Sequence, residues 1–146
     1  MSALRISTDP AELDLSQVHR FLSTDAYWSR GIPQATVARA LANSLCFGAY
    51  LDGVGQVGFA RVVTDQATFG YLADVFVLPE HRGRGYAKQL VAAVMADPRL
   101  HGLRRVMLAT ADAHALYAGF GFHAPARPEV LMEIHRPDVY ARGEAS

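Results

Sequence analysis

The sequence predicts an α/β protein of the mixed α+β kind. A central mixed sheet of about six to seven strands is flanked by about four helices, in the order β-α-α-β-β-β-α-β-α-β-β. Three observations predict it. Between Tyr71 and Gln89 an apolar run, Val75 to Leu78, stops at Pro79; a basic, glycine-bearing turn follows, and then a helical pattern. In that helix Ala87, Leu90, Val91, Val94 and Met95 recur at spacings of three and four, which makes one apolar face. Upstream, the hairpin chemistry of Asp52-Gly53-Val54-Gly55 joins two strand-like runs, so an antiparallel meander leads into the central strand. Downstream, Leu103 to Thr110 reads as a buried strand reached by a helical crossover, so these two strands should be parallel and the connection right-handed.

The remaining elements follow in order. Leu4 to Thr8 alternates apolar and polar residues, as a half-buried strand does, and Asp9-Pro10 breaks it. A short helix carries Val18, Phe21 and Leu22, with Ser16 as the expected N-cap. The stretch Asp25 to Gly31 is irregular and holds Tyr27 and Trp28. Pro33 suits the first turn of a second helix with Val37, Ala40 and Leu41 on one face. Leu45 to Leu51, Gln56 to Thr64 and Thr68 to Leu78 are the meander strands, with Val57, Phe59, Arg61 and Val63 expected on one face of the second. Asp97-Pro98 stops the organising helix. Asp112 is the expected cap of a short helix containing Tyr117. Phe120 to Ala124 and Val130 to His135 read as a closing antiparallel pair, and a polar, loose tail is expected from Arg136.

The 146 residues suit one domain over 1–146. At 51% hydrophobic and 19% charged, the chain can build a substantial core and is too apolar for disorder. A formal net charge of +0 gives no global electrostatic case for nucleic acid or an anionic membrane. The single cysteine, Cys46, lies in an apolar run and reads as a buried thiol; no disulfide framework can form. The six histidines lack metal-ligand spacing, so no metal is expected. No secretory leader pattern opens the sequence and no apolar run reaches about 18 residues, so a soluble cytoplasmic protein is the expectation.

The turn before the organising helix is the strongest functional signal. A helix N-terminus carries unpaired N–H groups and about half a positive charge, which disfavours cations. Yet His81, Arg82 and Arg84 crowd it. An anion docked there resolves the conflict, and Gly83 and Gly85 would let the backbone approach it. The turn is not a Walker A loop, because Lys88 lacks the preceding glycine and the following Ser or Thr. It is not a Rossmann turn either, because Gly83-x-Gly85-x-x ends at Lys88.

Arg82, Gly85 and Ala87 match R/Q-x-x-G-x-G/A, and Tyr117 to Phe122 matches Y-x-x-x-G-F downstream. In these motifs the chain resembles the GCN5-related N-acetyltransferases, the GNAT superfamily, over roughly Leu4 to His135. The resemblance implies the GNAT fold, acetyl-CoA as acyl donor, and a primary amine of a small molecule or peptide as acceptor. It implies that backbone N–H groups of Gly83, Arg84, Gly85, Tyr86 and Ala87, with charge from Arg82 or Arg84, hold the pyrophosphate. It implies that Phe76, Val77 and Leu78 line the pantetheine arm in a gap toward Leu108–Thr110. Tyr117 then corresponds to the general acid for the departing thiolate. Thr110 stands where many relatives carry asparagine near the cofactor. Dimers are common in such folds, so a homodimer is among the expected states.

The general base is where the chain departs from its relatives. An amine of pKa about 10.4 costs about 4–5 kcal/mol to neutralise at pH 7. The segment Tyr71 to Val77 resembles a polyamine-type branch with two adjacent acids, but here the first is Ala73 and only Asp74 remains. Asp74 could hold a cationic substrate, relay a proton through water, or pair with an arginine such as Arg61; the base would otherwise be water or the substrate itself. Strand alternation points Asp74 away from Ala73's side unless a bulge intervenes. His114 could relay a proton to Tyr117 or lie on the surface. Tyr27 and Trp28 could contact an amine by cation–π attraction or serve as core or interface residues. The rival reading is an acyl-CoA-binding sensor without catalysis.

Overall fold

The computed structural model describes residues 3–141. Its strands are β1 (Arg5–Ser7), β2 (Leu45–Leu51), β3 (Gly55–Thr64), β4 (Phe69–Val77) and β5 (Arg105–Leu108). Its helices are α1 (Leu15–Arg20), α2 (Gln34–Ala42), α3 (Tyr86–Ala96) and α4 (His114–Ala118). The five strands form one sheet in sequence order, antiparallel from β1 to β4 and parallel between β4 and β5. The sheet is therefore shorter than the expected six to seven strands. Among the described residues, neither Phe120–Ala124 nor Val130–His135 enters it. No described helix is long and apolar enough to cross a membrane.

Local chemistry explains most element ends. Asp14, not the expected Ser16, caps α1: its carboxylate accepts from the Gln17 N–H at 3.0 Å. A wider helical turn, Phe21–Asp25, continues α1 and closes with Ala26 N–H on Phe21 O at 3.0 Å. Asp97 ends α3 before Pro98 as expected. Asp112 does not cap α4, whose first turn has no side-chain cap; just ahead of it the Thr110 hydroxyl oxygen accepts from the Ala113 N–H at 3.0 Å.

The sheet has a core on each face. Phe47, Ala49, Leu51, Val57, Ala60, Val62 and Leu72 pack with Leu90, Val91 and Val94 of α3 and with Tyr117. Cys46, Phe59 and Phe76 pack on the other face with Val18, Phe21, Leu22 and Val37. The expected shared face of Val57, Phe59, Arg61 and Val63 does not hold, because Val57 and Phe59 belong to opposite cores. The register between β2 and β3 steps by one residue at Ala49/Tyr50, leaving Val57 unmatched, and such a bulge inverts the alternation beyond it.

A second bulge matters more. Phe59 pairs with Phe76 and Arg61 with Ala73, so Asp74 and Val75 together face Ala60. Asp74 takes the left-handed conformation, φ 55°, which a non-glycine residue rarely adopts and aspartate tolerates better than most. The bulge inverts β4: Leu72 faces α3, while Phe76 faces α1 and stacks on Phe21 with ring centroids 4.0 Å apart.

Cys46 is buried and free, as expected. Burial pushes its thiol up to about 11, with the Arg61 charge opposing. At pH 8 its thiolate fraction is about 0.1%, against about a quarter for a free thiol. Alkylation by iodoacetamide should thus run roughly 200-fold slower than for free cysteine, until denaturant exposes the side chain.

Candidate active site

The two parallel strands part. They pair from Phe69↔Arg105 to Leu72↔Leu108 and no further, although β4 continues to Val77 along β3. The gap expected beyond Val75 and Leu108 is therefore present, and the Asp74 bulge lies where it opens. Leu78 N–H donates to Val57 O at 2.9 Å, on the β3 side. Peptide groups alternate along a strand, so Val77 turns its N–H and C=O into the gap. Arg82 reaches that carbonyl through its Nε at 2.9 Å and ties the following turn to the end of β4.

The turn has the geometry that its glycines suggest. Gly83 and Gly85 hold φ of 80° and 79°, and a Cβ on either would meet open space. Gly85 is the N-cap of α3 and offers no side chain to the helix. The first intrahelical bond is Gln89 N–H to Gly85 O at 3.1 Å, so the N–H groups of Tyr86, Ala87 and Lys88 have no intrahelical acceptor. Tyr86 turns its ring onto the α3-side core, which leaves its backbone for the turn. Arg84 Nη1 lies 3.4 Å from His81 Nδ1, close enough to share an anion's charge. A pyrophosphate fits this setting: exposed glycine backbone, a capless helix N-terminus and two arginines.

Tyr117 closes the far side. It is 8% exposed, in the α3-side core, and its ring meets Phe122 edge-on at 6.0 Å. Gly121 makes that meeting possible at φ 95°, folding Phe122 back until its N–H reaches Tyr117 O at 3.2 Å. Burial pushes the phenol above its ordinary value, and the Asp112 charge adds to the rise. Thr110 lies two residues past β5; its oxygen accepts from the Ala113 N–H while its O–H proton stays available as a donor. His114 is exposed on α4, the surface position weighed above.

Asp74 is paired. Its Oδ2 accepts from Arg61 Nε and Nη2, both at 2.9 Å, and its Oδ1 accepts from the Trp28 indole N–H at 2.9 Å. Arg61 also donates to Ser44 Oγ at 3.2 Å, a partner that no sequence pattern marks. The ion pair is largely enclosed, at 17% and 10% side-chain exposure. Tyr27 and Trp28 are exposed, with rings edge-on at 5.1 Å, so they are not core residues. One carboxylate thus holds the indole of the Tyr27–Trp28 loop against the opening of the gap. Asp74→Ala would leave Arg61 enclosed without its partner, a cost of about 3 kcal/mol, the low end for breaking a buried pair. Urea unfolding should show that loss, while Asp74→Asn, which tolerates positive φ and keeps an acceptor for Trp28, should lose less.

The Acetyltransferase (GNAT) family model matches residues 15–122, a span that takes in both parallel strands, the turn and the Tyr117 segment. The chain belongs to this family. It is 38% identical over 133 residues to FG08082 of Gibberella zeae, which bears a provisional acetyltransferase name, covering 77% of this chain and 74% of that one. A solved GNAT-family structure from Xanthomonas campestris pv. campestris is 57% identical, with a TM-score of 0.93 and coverage of 97% and 99%. An acetyltransferase structure from Clostridium acetobutylicum, solved with acetyl-CoA, shares the fold at TM-score 0.69 and 16% identity, covering 92% and 96%.

Proposed function

We propose that the protein is an acetyl-CoA-dependent N-acetyltransferase acting on the primary amine of a small molecule or peptide by direct attack. The observation that carries this reading is the parting of β4 from β5 beyond Leu72 and Leu108, with the capless N-terminus of α3 tied to its edge by Arg82. Bound acetyl-CoA would supply the thioester carbon that the amine attacks. Backbone N–H groups from Gly83 to Lys88, with Arg84, would hold the pyrophosphate, and Phe76 to Leu78 would line the arm. The Val77 N–H is the donor that would polarise the acyl oxygen. Tyr117 would give its proton to the departing sulfur; the raised phenol keeps that proton in place at neutral pH.

The acceptor would enter beside Tyr27 and Trp28. Asp74 acts there as a positioning residue, since its oxygens already accept from Arg61 and Trp28. The proton on an incoming ammonium would leave through water or a basic group of the substrate.

Calorimetric titration with acetyl-CoA, with free acetate and dephospho-CoA as controls, tests the donor half. Saturable binding near one per chain is the expected result; no binding by folded protein at millimolar acetyl-CoA would end the reading. Thiol release with a panel of amines tests the acceptor half. Binding without release for any amine would favour an acyl-CoA sensor.

A further inference from the structure

The sheet face that carries α1 and α2 is covered at one end only. Those helices pack around Cys46, Phe59 and Phe76. Further along the strands, Val62, Leu72 and Leu108 turn to the α3 side. Alternation therefore turns their neighbours Val63, Tyr71 and Met107 to the α1 side. These three are register partners across β3, β4 and β5, so they form one row. They belong to neither core of the described residues. Val63 is 43% exposed, and Tyr71 and Met107 are half-buried.

This row adjoins the candidate acceptor site. One step along β4 toward the gap, Ala73 pairs with Arg61 and faces the same side as Tyr71. Arg61 and the next residue, Asp74, carry the Trp28 indole. Alanine fills little space, so the strip dips at Ala73, between the apolar row and the Trp28–Asp74–Arg61 border. Tyr71 and Ala73 are about 7 Å apart along the strand, a span that one aromatic ring or a short alkyl chain covers.

The charges on the strip point the same way. Asp74 is taken by Arg61. Among the described strand residues on this side, the next charge is Arg105, which is exposed, in register with Phe69 and two residues before Met107. A second cation on an acceptor would lie over apolar side chains, with a guanidinium ahead of it. An apolar body would instead take Val63, Tyr71 and Met107 out of water.

From this we propose that the acceptor is a monoamine with an apolar body, an alkylamine or arylalkylamine, rather than a di- or polyamine. Its body lies on Val63, Tyr71 and Met107, and its nitrogen points past Ala73 into the gap. The inference rests on the acceptor half of the reaction above and names its substrate class.

Amide chemical shifts of isotope-labelled protein, with CoA present, test it without turnover. The probes are n-hexylamine, phenethylamine and hexamethylenediamine, the last being the hexyl chain with a second ammonium. The two monoamines should shift the amides of Tyr71, Ala73 and Met107 and bind at least about 10-fold more tightly than the diamine. The same order is expected in kcat/KM for thiol release. Val63→Glu, at a position already 43% exposed, should keep the fold and bring the diamine level with hexylamine or ahead of it. A diamine that binds wild type as tightly as hexylamine would overturn the proposal. So would three amines that leave these amides unmoved, or a folded Val63→Glu variant with the wild-type order. Binding in the expected order without thiol release would uphold the strip as the amine site and end the transferase reading instead.

Discussion

Gly85→Glu is expected to weaken acetyl-CoA binding by about 10²- to 10⁴-fold, measured by calorimetry. The size follows from losing two charge-assisted hydrogen bonds at about 1.5–3 kcal/mol each. Gly85 is the N-cap of α3 and sits at φ 79°. A glutamate there meets no steric clash in the free protein, because a Cβ would point into open space. Its carboxylate would instead take the donors and the positive end of the helix that the pyrophosphate needs. The backbone strain must be separated from the charge. Gly85→Asn supplies the control, since asparagine tolerates the left-handed conformation and carries no charge. Affinity near wild type in the asparagine variant and loss in the glutamate variant would locate the anion. Full affinity in Gly85→Glu would remove the turn from the binding site.

Tyr117→Phe is expected to lower kcat by about 10²- to 10³-fold, the range for one acid–base group, with little change in acetyl-CoA affinity. Phenylalanine keeps the edge-on contact with Phe122 and loses only the hydroxyl. Burial and the Asp112 charge both raise the Tyr117 phenol. The proton is therefore retained to higher pH than in an exposed tyrosine, and its loss would switch off the acid as pH rises through the raised value. Any fall in rate that sets in below the ordinary tyrosine range should thus persist in Tyr117→Phe, because another group causes it. A variant with wild-type kcat would take Tyr117 out of the reaction.

Much of this site was legible because its signals are local. Pro79, the two glycines and the apolar face of α3 lie within one short stretch, and structure at a helix start is set by such neighbours. Tyr117 and Gly121 fall within one turn of each other, and the positive φ at Gly121 is the conformation that glycine permits most cheaply. The bulges were not legible. Asp74 at φ 55° has no glycine to announce it, and one unmatched residue inverts every later side chain on β4. The Val57 bulge did the same to the predicted face of β3. The last two strands failed for a different reason. Alternation reports a local preference for extended backbone, whereas pairing needs a partner, and segment 130–135 finds none among the described residues.

Trp28 is the sole tryptophan of the chain. It stands half-exposed on the Tyr27–Trp28 loop, bonded to Asp74 and edge-on to Tyr27. Light absorbed at the red edge near 295 nm is therefore emitted from one place, and that place is the rim of the candidate acceptor cleft. The protein carries its own optical label. An amine that displaces water from the indole, or pulls Asp74 away from it, would change the emission of the unmodified chain, so acceptors can be screened by fluorescence before any turnover assay exists.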